Sequence, residues 1–396
     1  MPGRGPRVAV IGGSLGGLIT ASQLRDVGCD VQVFERSSVP LEGRGAGIVL
    51  HPVTTRTFEE RGLLDLARVS SSARTLRYLT RDGHVLLEEP IVYRFTSYGT
   101  LYAALVESWE PSRYHLGRDF VRIEEDGAGV ATACFADGGA EPCDLLVGAD
   151  GIRSSVRGLL FPEVRPAYAG YVGWRGTLPA GALPPASEVL RNVLTYHVGE
   201  RTHVLSYEIP AIDGDGHSMN WVWYRNVQAG QQLDALLTDR TGTTHDLSLP
   251  PGAVRGEHLA ELSGSAGELP PAFADLIRAT PEPFVQVIVD LEVPAMTRGR
   301  VCLVGDAAFV LRPHIAAGTA KAAADALALA RAIEGADGDV PAALRAWEPG
   351  QMALGRATSA RTRTVGVQAQ VSGTFQPGDP DVAFGLHRPK DGNFPR

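Results

Sequence analysis

The chain has 396 residues, of which 44% are hydrophobic and 21% charged, so it is long enough for two or three globular domains. Its formal net charge of −8 and the lack of a run of Lys and Arg argue against nucleic acid or a membrane surface as the main partner. The first residues show no signal-peptide pattern and no apolar run is long enough to span a membrane, so we expect a cytoplasmic protein. Four cysteines without CxxC spacing predict neither a metal site nor a disulfide framework.

The first predicted unit, residues 7–36, is a strand, a tight glycine-rich turn, a helix and a second strand. Gly12 and Gly17 fill the first and third positions of the G-x-G-x-x-G nucleotide fingerprint, whereas Ser14 occupies the middle one. Glu35, at the end of the second strand, is placed to accept from an unphosphorylated ribose, which favours FAD or NAD over NADP. The alternative is a glycine-rich turn that serves packing alone.

Two later segments repeat this strand-to-helix pattern. One buried strand leads into Asp150-Gly151, and another leads into Gly305-Asp306, followed by a loop and an Ala-rich helix entered near Gly318. Asp306 is expected to accept from sugar-alcohol hydroxyls, and the first N–H groups of the helix to stabilise negative charge, as on a reduced flavin. Because FAD is too long for one strand–helix turn, we expect two distant turns to hold its opposite ends.

The three motifs, in this order, resemble those of the para-hydroxybenzoate hydroxylase family of FAD-dependent aromatic monooxygenases. The resemblance implies an α/β (mixed α+β) fold, in which a Rossmann-like FAD-binding domain carries an inserted antiparallel β-sheet substrate domain. It also implies NADH or NADPH as a transient reductant, O2 as co-substrate, a small aromatic substrate and a homodimer. The implied FAD contacts are Gly12, Gly13, Ser14, Leu15, Gly17, Glu35, Arg36, Val121, Asp150, Asp306, Pro313, Ala317, Gly318, Thr319 and Ala320.

Two positions depart from the wider family. Tyr98 stands where the family has an arginine that contacts flavin, and residues 317–321 read Ala-Gly-Thr-Ala-Lys where the family has Gly-Gln-Gly-x-Asn. These departures change the expected contacts to the flavin ring and leave the prediction of FAD binding intact.

The hydrophobic pattern changes from strand–helix alternation to period two between the second and third turns, which predicts antiparallel strands. The family places its substrate domain there. We expect an FAD-binding domain over 1–72, 95–167 and 286–340, a substrate-binding β-sheet domain over 73–94 and 168–285, a C-terminal helix over 341–372 and an extended surface tail over 373–396.

The resemblance implies a single-component enzyme that uses NAD(P)H and O2 to hydroxylate a hydroxypyridine-like or phenolic ring through a C4a-hydroperoxyflavin. The protein would then have to orient the substrate, handle the proton of its hydroxyl group and exclude water. Two alternatives stay open. The same oxidant could serve a Baeyer–Villiger or natural-product tailoring oxidation, or the chain could be a flavin-binding redox sensor without turnover.

Candidate catalytic residues are few because the cofactor supplies most of the chemistry. His314, in the loop beside the flavin ring, is either a base or substrate orienter, or a loop histidine bonded to backbone. Tyr207 and Tyr196 lie on strands predicted to face the flavin, and either bind substrate or pack. His51, after the predicted strand "GIVL", is a further catalytic candidate.

Aromatic residues alternate along one predicted strand, residues 218–227. Trp221 and Tyr224 cannot share a face, and one side either stacks on the substrate or belongs to an aromatic core. Trp223 is the substrate-binding candidate on this strand. Arg175 and Arg225 are expected to be solvated or ion-paired and not to clamp the substrate.

Overall fold

The protein is described by a computed structural model as a mixed α/β fold with a parallel sheet in one half and a large, mostly antiparallel sheet in the other. This is the predicted fold class. The strands that build the two halves come from several separate parts of the chain. The structure describes residues 5–41, 47–60, 62, 65–125, 130–211 and 216–395.

The strands of the described residues are labelled in chain order. They are β1 Arg7–Ile11, β2 Asp30–Phe34, β3 Gly47–Leu50, β4 Ser71–Leu79, β5 Val85–Ser97, β6 Tyr114–His115, β7 Phe120–Glu125, β8 Ala131–Phe135, β9 Ala140–Cys143, β10 Leu145–Gly148, β11 Ala167–Pro179, β12 Leu194–Gly199, β13 Thr202–Pro210, β14 His217–Asn226, β15 Ser248–Leu249, β16 Phe284–Glu292, β17 Thr297–Arg298, β18 Val301–Leu303 and β19 Phe309–Val310.

The helices are labelled in the same way. They are α1 Leu15–Asp26, α2 Pro52–Glu60, α3 Leu66–Val69, α4 Tyr98–Glu107, α5 Ser155–Leu160, α6 Gln231–Leu237, α7 Gly256–Ser265, α8 Pro271–Ala279, α9 Gly318–Gly335 and α10 Val340–Val367. Within the described residues, no helix combines the length and the apolar character that crossing a membrane requires.

The parallel sheet has the strand order β17-β18-β10-β1-β2-β6. Its central strand β1 pairs in parallel with both β2 and β10, and β10 pairs in parallel with β18. These strands are short apolar runs covered on both sides, as parallel strands require. Three of them, β1, β10 and β18, therefore deliver the three predicted turns to the same carboxyl edge of the sheet.

The large sheet has the strand order β15-β16-β11-β14-β13-β12-β4-β5-β3, with β19 paired to β16. One face carries Trp221 and Trp223 and packs with residues of α7 and α8 in an apolar core. The other face carries tyrosines and turns toward the parallel sheet. Alternation along each strand thus separates a structural face from a face available to a ligand.

The domain limits differ from the expected ones at two places. Strand β3 belongs to the large sheet, although it lies within the expected FAD-binding segment 1–72. Strand β16 spans the expected limit at 285/286 and pairs with β11 of the large sheet. Both strands lie where the chain passes between the two halves of the molecule. Their membership of the large sheet depends on pairing with distant strands, so a domain limit predicted from local pattern misses it.

The C-terminal segment is not the extended surface tail that we expected. Phe375, Val382, Phe384 and Leu386 are buried, and Arg361 of α10 donates to the carbonyl oxygens of Asp381, Ala383 and Gly385. Exposing these four apolar side chains to water would cost more free energy than ordering the short segment does. The segment therefore packs against the large sheet and α10.

Candidate active site

A cleft of about 600 Å³ lies between the two sheets, and all three predicted turns line it. The lining residues include Gly12 and Glu35 from the first turn, Asp150 from the second, and Asp306 and Thr319 from the third. Residues almost 300 positions apart therefore share one concave surface, as a single long ligand requires.

The first turn needs glycine at two positions for different reasons. Gly12 has φ +106°, and a Cβ there would lie 2.5 Å from the carbonyl oxygen of Ala149. A Cβ on Gly17 would collide with the carbonyl oxygen of Gly12. The turn from β1 into α1 can therefore close only with these glycines, which leaves the first N–H groups of the helix facing the cleft.

Glu35 organises the first turn and also lines the cleft. Its Oε2 accepts from the N–H of Gly13 at 2.9 Å, and its Oε1 accepts from the N–H of Ser37 at 2.9 Å. Each carboxylate oxygen keeps a further acceptor position. Glu35 can therefore hold the loop in shape and still accept from a ligand hydroxyl group.

The unusual Ser14 is bonded to the unusual Tyr98. The Ser14 hydroxyl lies 2.7 Å from the Tyr98 hydroxyl, and both residues line the cleft. The Tyr98 ring stacks on that of Tyr102, whose hydroxyl is 3.0 Å from the hydroxyl of Tyr114. Tyr114 in turn donates to the carbonyl oxygen of Gly13 at 2.8 Å. A polar tyrosine cluster thus supports the loop at the place where the wider family has an arginine.

Asp150 binds the first N–H groups of α5 with one carboxylate oxygen and leaves the other without a partner among the described residues. Its Oδ2 accepts from the N–H groups of Ser155 and Val156 at 2.7 and 3.2 Å. Its Oδ1 is buried and has no hydrogen-bond partner among the described residues. Burial raises the pKa of this carboxyl group. An acceptor of this kind on the cleft wall suits a ligand donor.

Asp306 lines the cleft and is exposed to it. The surrounding protein desolvates the carboxyl group and raises its pKa to about 6, although Lys321 and Arg157 oppose the shift. Among the residues that the structure describes, none donates a hydrogen bond to this carboxylate. It is therefore a strong acceptor with no protein donor to satisfy it.

The loop after Asp306 and the start of α9 form the floor at the other end of the cleft. Pro313, Ala317, Gly318 and Thr319 line it. Helix α9 has 18 residues and no side chain caps its first N–H groups. These groups and the positive end of the helix dipole remain available to a group that becomes negatively charged.

Most of the predicted FAD contacts lie on the cleft. Gly13, Gly17 and Ala320 do not line it; the two glycines shape the turn, and Ala320 is fully buried. Val121 does not line the cleft either: it is 42% exposed, and its neighbour Phe120 lines the cleft instead. Adjacent residues of a strand point to opposite sides. The predicted contacts that line the cleft are Gly12, Ser14, Leu15, Glu35, Arg36, Asp150, Asp306, Pro313, Ala317, Gly318 and Thr319.

The cleft fits FAD by the chemistry of its walls. The first turn offers free helix N–H groups for a pyrophosphate and Glu35 for a ribose. Asp306 offers an unsatisfied acceptor for hydroxyl groups, and the start of α9 offers N–H groups for the flavin ring. No cluster of His, Cys, Asp and Glu among the described residues could hold a metal ion.

The wall opposite the loop at Pro313 is one face of the large sheet. Alternate residues of β13 line it, namely His203, Leu205 and Tyr207, as do Val222 and Tyr224 of β14. Cross-strand pairing sets His203 beside Tyr224 and Leu205 beside Val222. Tyr196 of β12 pairs with Leu205 and extends the wall. This part of the cleft is aromatic and largely buried, as a pocket for a flat ring requires.

The predicted substrate role of Trp223 is wrong. Its side chain is 1% exposed and packs in the core on the opposite face of the sheet. Its indole Nε1 donates to Thr202 at 2.9 Å. The cleft face of β14 belongs to Val222 and Tyr224, so the alternation was recognised but the wrong set of side chains was chosen.

His314 lines the cleft, as the prediction required, and it is held by a partner that the sequence did not indicate. Its Nε2 lies 2.6 Å from the hydroxyl of the fully buried Tyr171. Burial lowers the pKa of His314 well below its ordinary value, and His203 and Arg312 act in the same direction. The ring is therefore neutral at pH 7.

His203 is a second buried histidine on the cleft. Its ring centroid lies 5.3 Å from that of His314 and 4.6 Å from that of Tyr224. Its Nδ1 is 3.0 Å from the amide nitrogen of Gln370. Burial lowers the pKa of His203 to about 3, so both histidines of the wall act as neutral hydrogen-bonding groups.

Arg175, which we expected to be solvated or ion-paired, faces the cleft and is half-buried there. It donates to Gln286 at 2.9 Å and to the carbonyl oxygen of Gly47 at 3.2 Å. Among the described residues, no carboxylate pairs with it. A positive charge held by neutral acceptors thus lies beside the aromatic wall.

His51 does not line the cleft. It is 1% exposed and lies beside Gly392 of the C-terminal segment. Burial lowers its pKa to about 4. A buried ring that does not line the cleft cannot act on a ligand there, so we assign His51 no catalytic role.

The cleft lining also includes Tyr224, His203, Arg175 and Phe384, which were not among the predicted site residues. They differ in how clearly the sequence indicated them. The alternation of β14 signals Tyr224 once the buried face is known. His203 lies on a correctly predicted strand and Arg175 on one within the expected β-sheet domain, but only strand register sets them beside the cleft. Phe384 comes from the C-terminal segment, and no local pattern signals it.

The fold and this cleft define a two-domain flavoprotein with a pocket for a flat ring beside the flavin site. Comparisons with known proteins agree. Residues 6–169 match the FAD binding domain family, and residues 168–290 match a family described as FAD binding domain-like. The chain belongs to the FAD-dependent aromatic monooxygenases, as its motifs predicted.

Among its relatives is the 2,6-dihydroxypyridine 3-monooxygenase of Paenarthrobacter nicotinovorans, which is 37% identical over 96% of each chain. A solved structure of 2,6-dihydroxypyridine-3-hydroxylase from Arthrobacter nicotinovorans matches with a TM-score of 0.92, at 36% identity over 98% of each chain. The 6-hydroxynicotinate 3-monooxygenase of Pseudomonas fluorescens is 29% identical over 83% of each chain. A Klebsiella pneumoniae protein, HpxO, solved with FAD and uric acid, shares the fold with a TM-score of 0.76 at 23% identity over 93% of this chain and 90% of that one.

Proposed function

We propose that the protein hydroxylates a small, hydroxylated six-membered aromatic ring, with a hydroxypyridine as the best model substrate. The observation that carries this proposal is that one cleft combines the residues suited to FAD with an aromatic wall. Two neutral histidines and an arginine also line this cleft. The relatives named for dihydroxypyridine and hydroxynicotinate support a substrate of this class.

In the overall reaction, one oxygen atom of O2 replaces a ring hydrogen as a hydroxyl group and the other leaves as water. NADH or NADPH supplies the two electrons. Bound FAD supplies the hydride acceptor and the activation of O2. The side chains of this protein have the remaining tasks of binding the ring, orienting it and keeping water away.

Arg175 indicates the charge of the substrate. Its guanidinium lies on the cleft and has no carboxylate partner among the described residues. A ring bound as its phenolate or pyridinolate anion would neutralise this charge in a site of low polarity. Ionisation also enriches the ring in electrons, which is the property that an electrophilic oxygen atom demands.

The wall of the cleft does not favour a strong base. His203 has a pKa lowered to about 3 by burial. Burial raises the pKa of Tyr207 to about 12, and the effect outweighs that of the nearby Arg175. Both groups are neutral at pH 7 and orient the substrate by hydrogen bonds. A substrate that ionises easily in water, such as a dihydroxypyridine, suits this wall better than a simple phenol.

The test uses the FAD-loaded protein with NADH or NADPH and a panel of dihydroxypyridines, hydroxynicotinates and phenols. We expect a member of the panel to accelerate NAD(P)H oxidation and to yield a hydroxylated product that carries ¹⁸O from ¹⁸O2. Product must be measured as well as NAD(P)H, because uncoupled turnover forms only peroxide. Acceleration by no hydroxylated aromatic would contradict the proposal. The homodimer that the resemblance implies belongs to the proposal and is tested by light scattering.

A further inference from the structure

Tyr171 and His314 form a short hydrogen bond beneath the aromatic wall. The Tyr171 hydroxyl lies 2.6 Å from His314 Nε2, and both residues are buried. The bond contains one hydrogen atom, which belongs either to the tyrosine oxygen or to the imidazole nitrogen. The position of this hydrogen decides which ring nitrogen of His314 donates and which one accepts.

Arg312 decides that position. Its Nε and Nη2 donate to the two carboxylate oxygens of Asp290 at 2.9 and 2.7 Å, which holds the guanidinium in place. Its Nη1 points to the Tyr171 oxygen at 3.5 Å. A guanidinium only donates, and among the described residues His314 Nε2 is the one acceptor within reach of the Tyr171 hydroxyl. The tyrosine hydrogen therefore goes to His314.

The protonation of Nδ1, the second ring nitrogen of His314, follows from the role of Nε2. The ring is neutral, since burial and the neighbouring His203 and Arg312 lower its pKa. A neutral imidazole that accepts at Nε2 carries its hydrogen on Nδ1. This Nδ1 is buried and has no hydrogen-bond partner among the described residues.

A buried N–H group without a partner destabilises the protein by itself. His314 lines the cleft between the loop at Pro313 and the wall formed by His203 and Tyr224. A substrate oxygen that reaches this edge of the His314 ring from the cleft would satisfy the unpaired donor.

We propose that Asp290, Arg312 and Tyr171 fix His314 in the Nδ1–H tautomer, which makes His314 a hydrogen-bond donor to an oxygen of the aromatic substrate and not the base that removes its proton. His314 is then a binding residue, and Tyr171 and Arg312 are positioning residues. The assignment of the acceptor to a substrate rests on the proposed function.

The tautomer is tested first, by ¹⁵N NMR of the FAD-loaded protein with labelled histidine. The His314 signals are assigned by their loss in His314→Gln. We expect a protonated Nδ1 and an unprotonated Nε2 at pH 7, and protonation of Nε2 in a substantial fraction of Tyr171→Phe molecules. Tyr168→Phe is the matched control, because Tyr168 lies on the same strand and donates to Val227 at 2.8 Å, away from His314. A protonated Nε2 or an imidazolium in the unaltered protein would overturn the proposal.

The role of the donor is tested by two substitutions with a substrate found in the panel. His314→Ala removes the donor, and we expect its substrate dissociation constant to rise about 10-fold, as the loss of one hydrogen bond implies. His314→Gln keeps an N–H donor but has no titratable ring, so it should bind better than His314→Ala and keep the pH profile of kcat/KM.

A base would behave differently, since both variants would lose the ascending limb of the pH profile and most of kcat. That outcome rejects the donor role. The NMR result does not depend on finding a substrate. If no aromatic compound is turned over and the tautomer is as expected, the proposed function fails while the positioning network stands.

Discussion

Lys321 and Asp325 form an ion pair of 2.6 Å within α9, and both side chains are buried. The second oxygen of Asp325 accepts from the N–H of Gly305 at 3.0 Å, and Gly305 immediately precedes Asp306. The pair therefore connects the helix that begins at the ring end of the cleft to the turn that presents Asp306. Lys321 occupies the position where the wider family has asparagine, so this connection differs from the family pattern.

Lys321→Met should destabilise the protein and impair its flavin site. Removal of one partner leaves the Asp325 carboxylate buried without its counter-charge, which lowers the free energy of unfolding by about 3 kcal/mol or more. Lys390→Met, which removes the only other lysine of the chain, should change stability by less than about 0.5 kcal/mol. Denaturant unfolding with flavin absorbance as a second signal measures both effects. Equal stability of the two variants would show that the buried pair contributes nothing.

Asp306→Asn should purify with little bound flavin. The substitution keeps the shape of the side chain but removes the charged acceptor that no described residue satisfies. Hydrogen bonds to a charged group contribute about 1.5–3 kcal/mol, so FAD affinity should fall about 10- to 100-fold. The ratio of flavin to protein absorbance and a titration of the apoprotein measure this. Asp246→Ala, an exposed carboxylate paired with Arg153, is the control and should remain yellow.

Ser14→Ala and Tyr98→Phe should each weaken FAD binding, and their effects should not add. Each variant breaks the same 2.7 Å contact between the two hydroxyl groups. A neutral hydrogen bond contributes about 0.5–1.5 kcal/mol, so each loss should raise the dissociation constant of FAD about 2- to 10-fold. The double variant should be little worse than either single one. Additive losses would mean that the two residues contact FAD independently.

His203 should make the protein sensitive to acid. Its folded-state pKa of about 3 lies below the ordinary 6.5, so it stabilises the fold fully above pH 6.5 and loses this contribution as pH falls toward 3. Between pH 7 and pH 5 the unaltered protein should lose about 2 kcal/mol of stability relative to His203→Gln, since each unit below 6.5 corresponds to 1.36 kcal/mol. Unfolding curves of both proteins across this range check the slope. Parallel stability curves would show that His203 titrates normally.

Local sequence pattern predicted the three turns that meet at the cleft. Gly12 and Gly17 are required by a positive φ and by a close backbone approach, which no other residue type allows. Asp306 follows a fully buried strand in the same way as Asp150. Each of these signals lies within a few residues of the position it predicts, and parallel pairing then brings all three turns to one edge of the sheet.

The substrate wall was predictable only in part. Tyr196, Tyr207 and His314 lie on the cleft, whereas Trp223 and His51 do not, and Arg175 faces it unexpectedly. A period-two pattern separates two sets of side chains, but it does not say which set faces the core. On β14 both faces are aromatic, so hydrophobicity could not distinguish Trp223 from Tyr224.

The amino-acid order by itself was sufficient to predict the cofactor, because the glycines and carboxylates that indicate FAD lie within short turns, each with its own sequence pattern. Tertiary structure decided most of the surroundings of the proposed substrate pocket. Tyr171 meets His314 across 143 positions, and Phe384 reaches the cleft from the C-terminal segment. Such contacts depend on strand register and on how the two sheets pack, and these are set by the sum of many weak long-range interactions that no short motif contains.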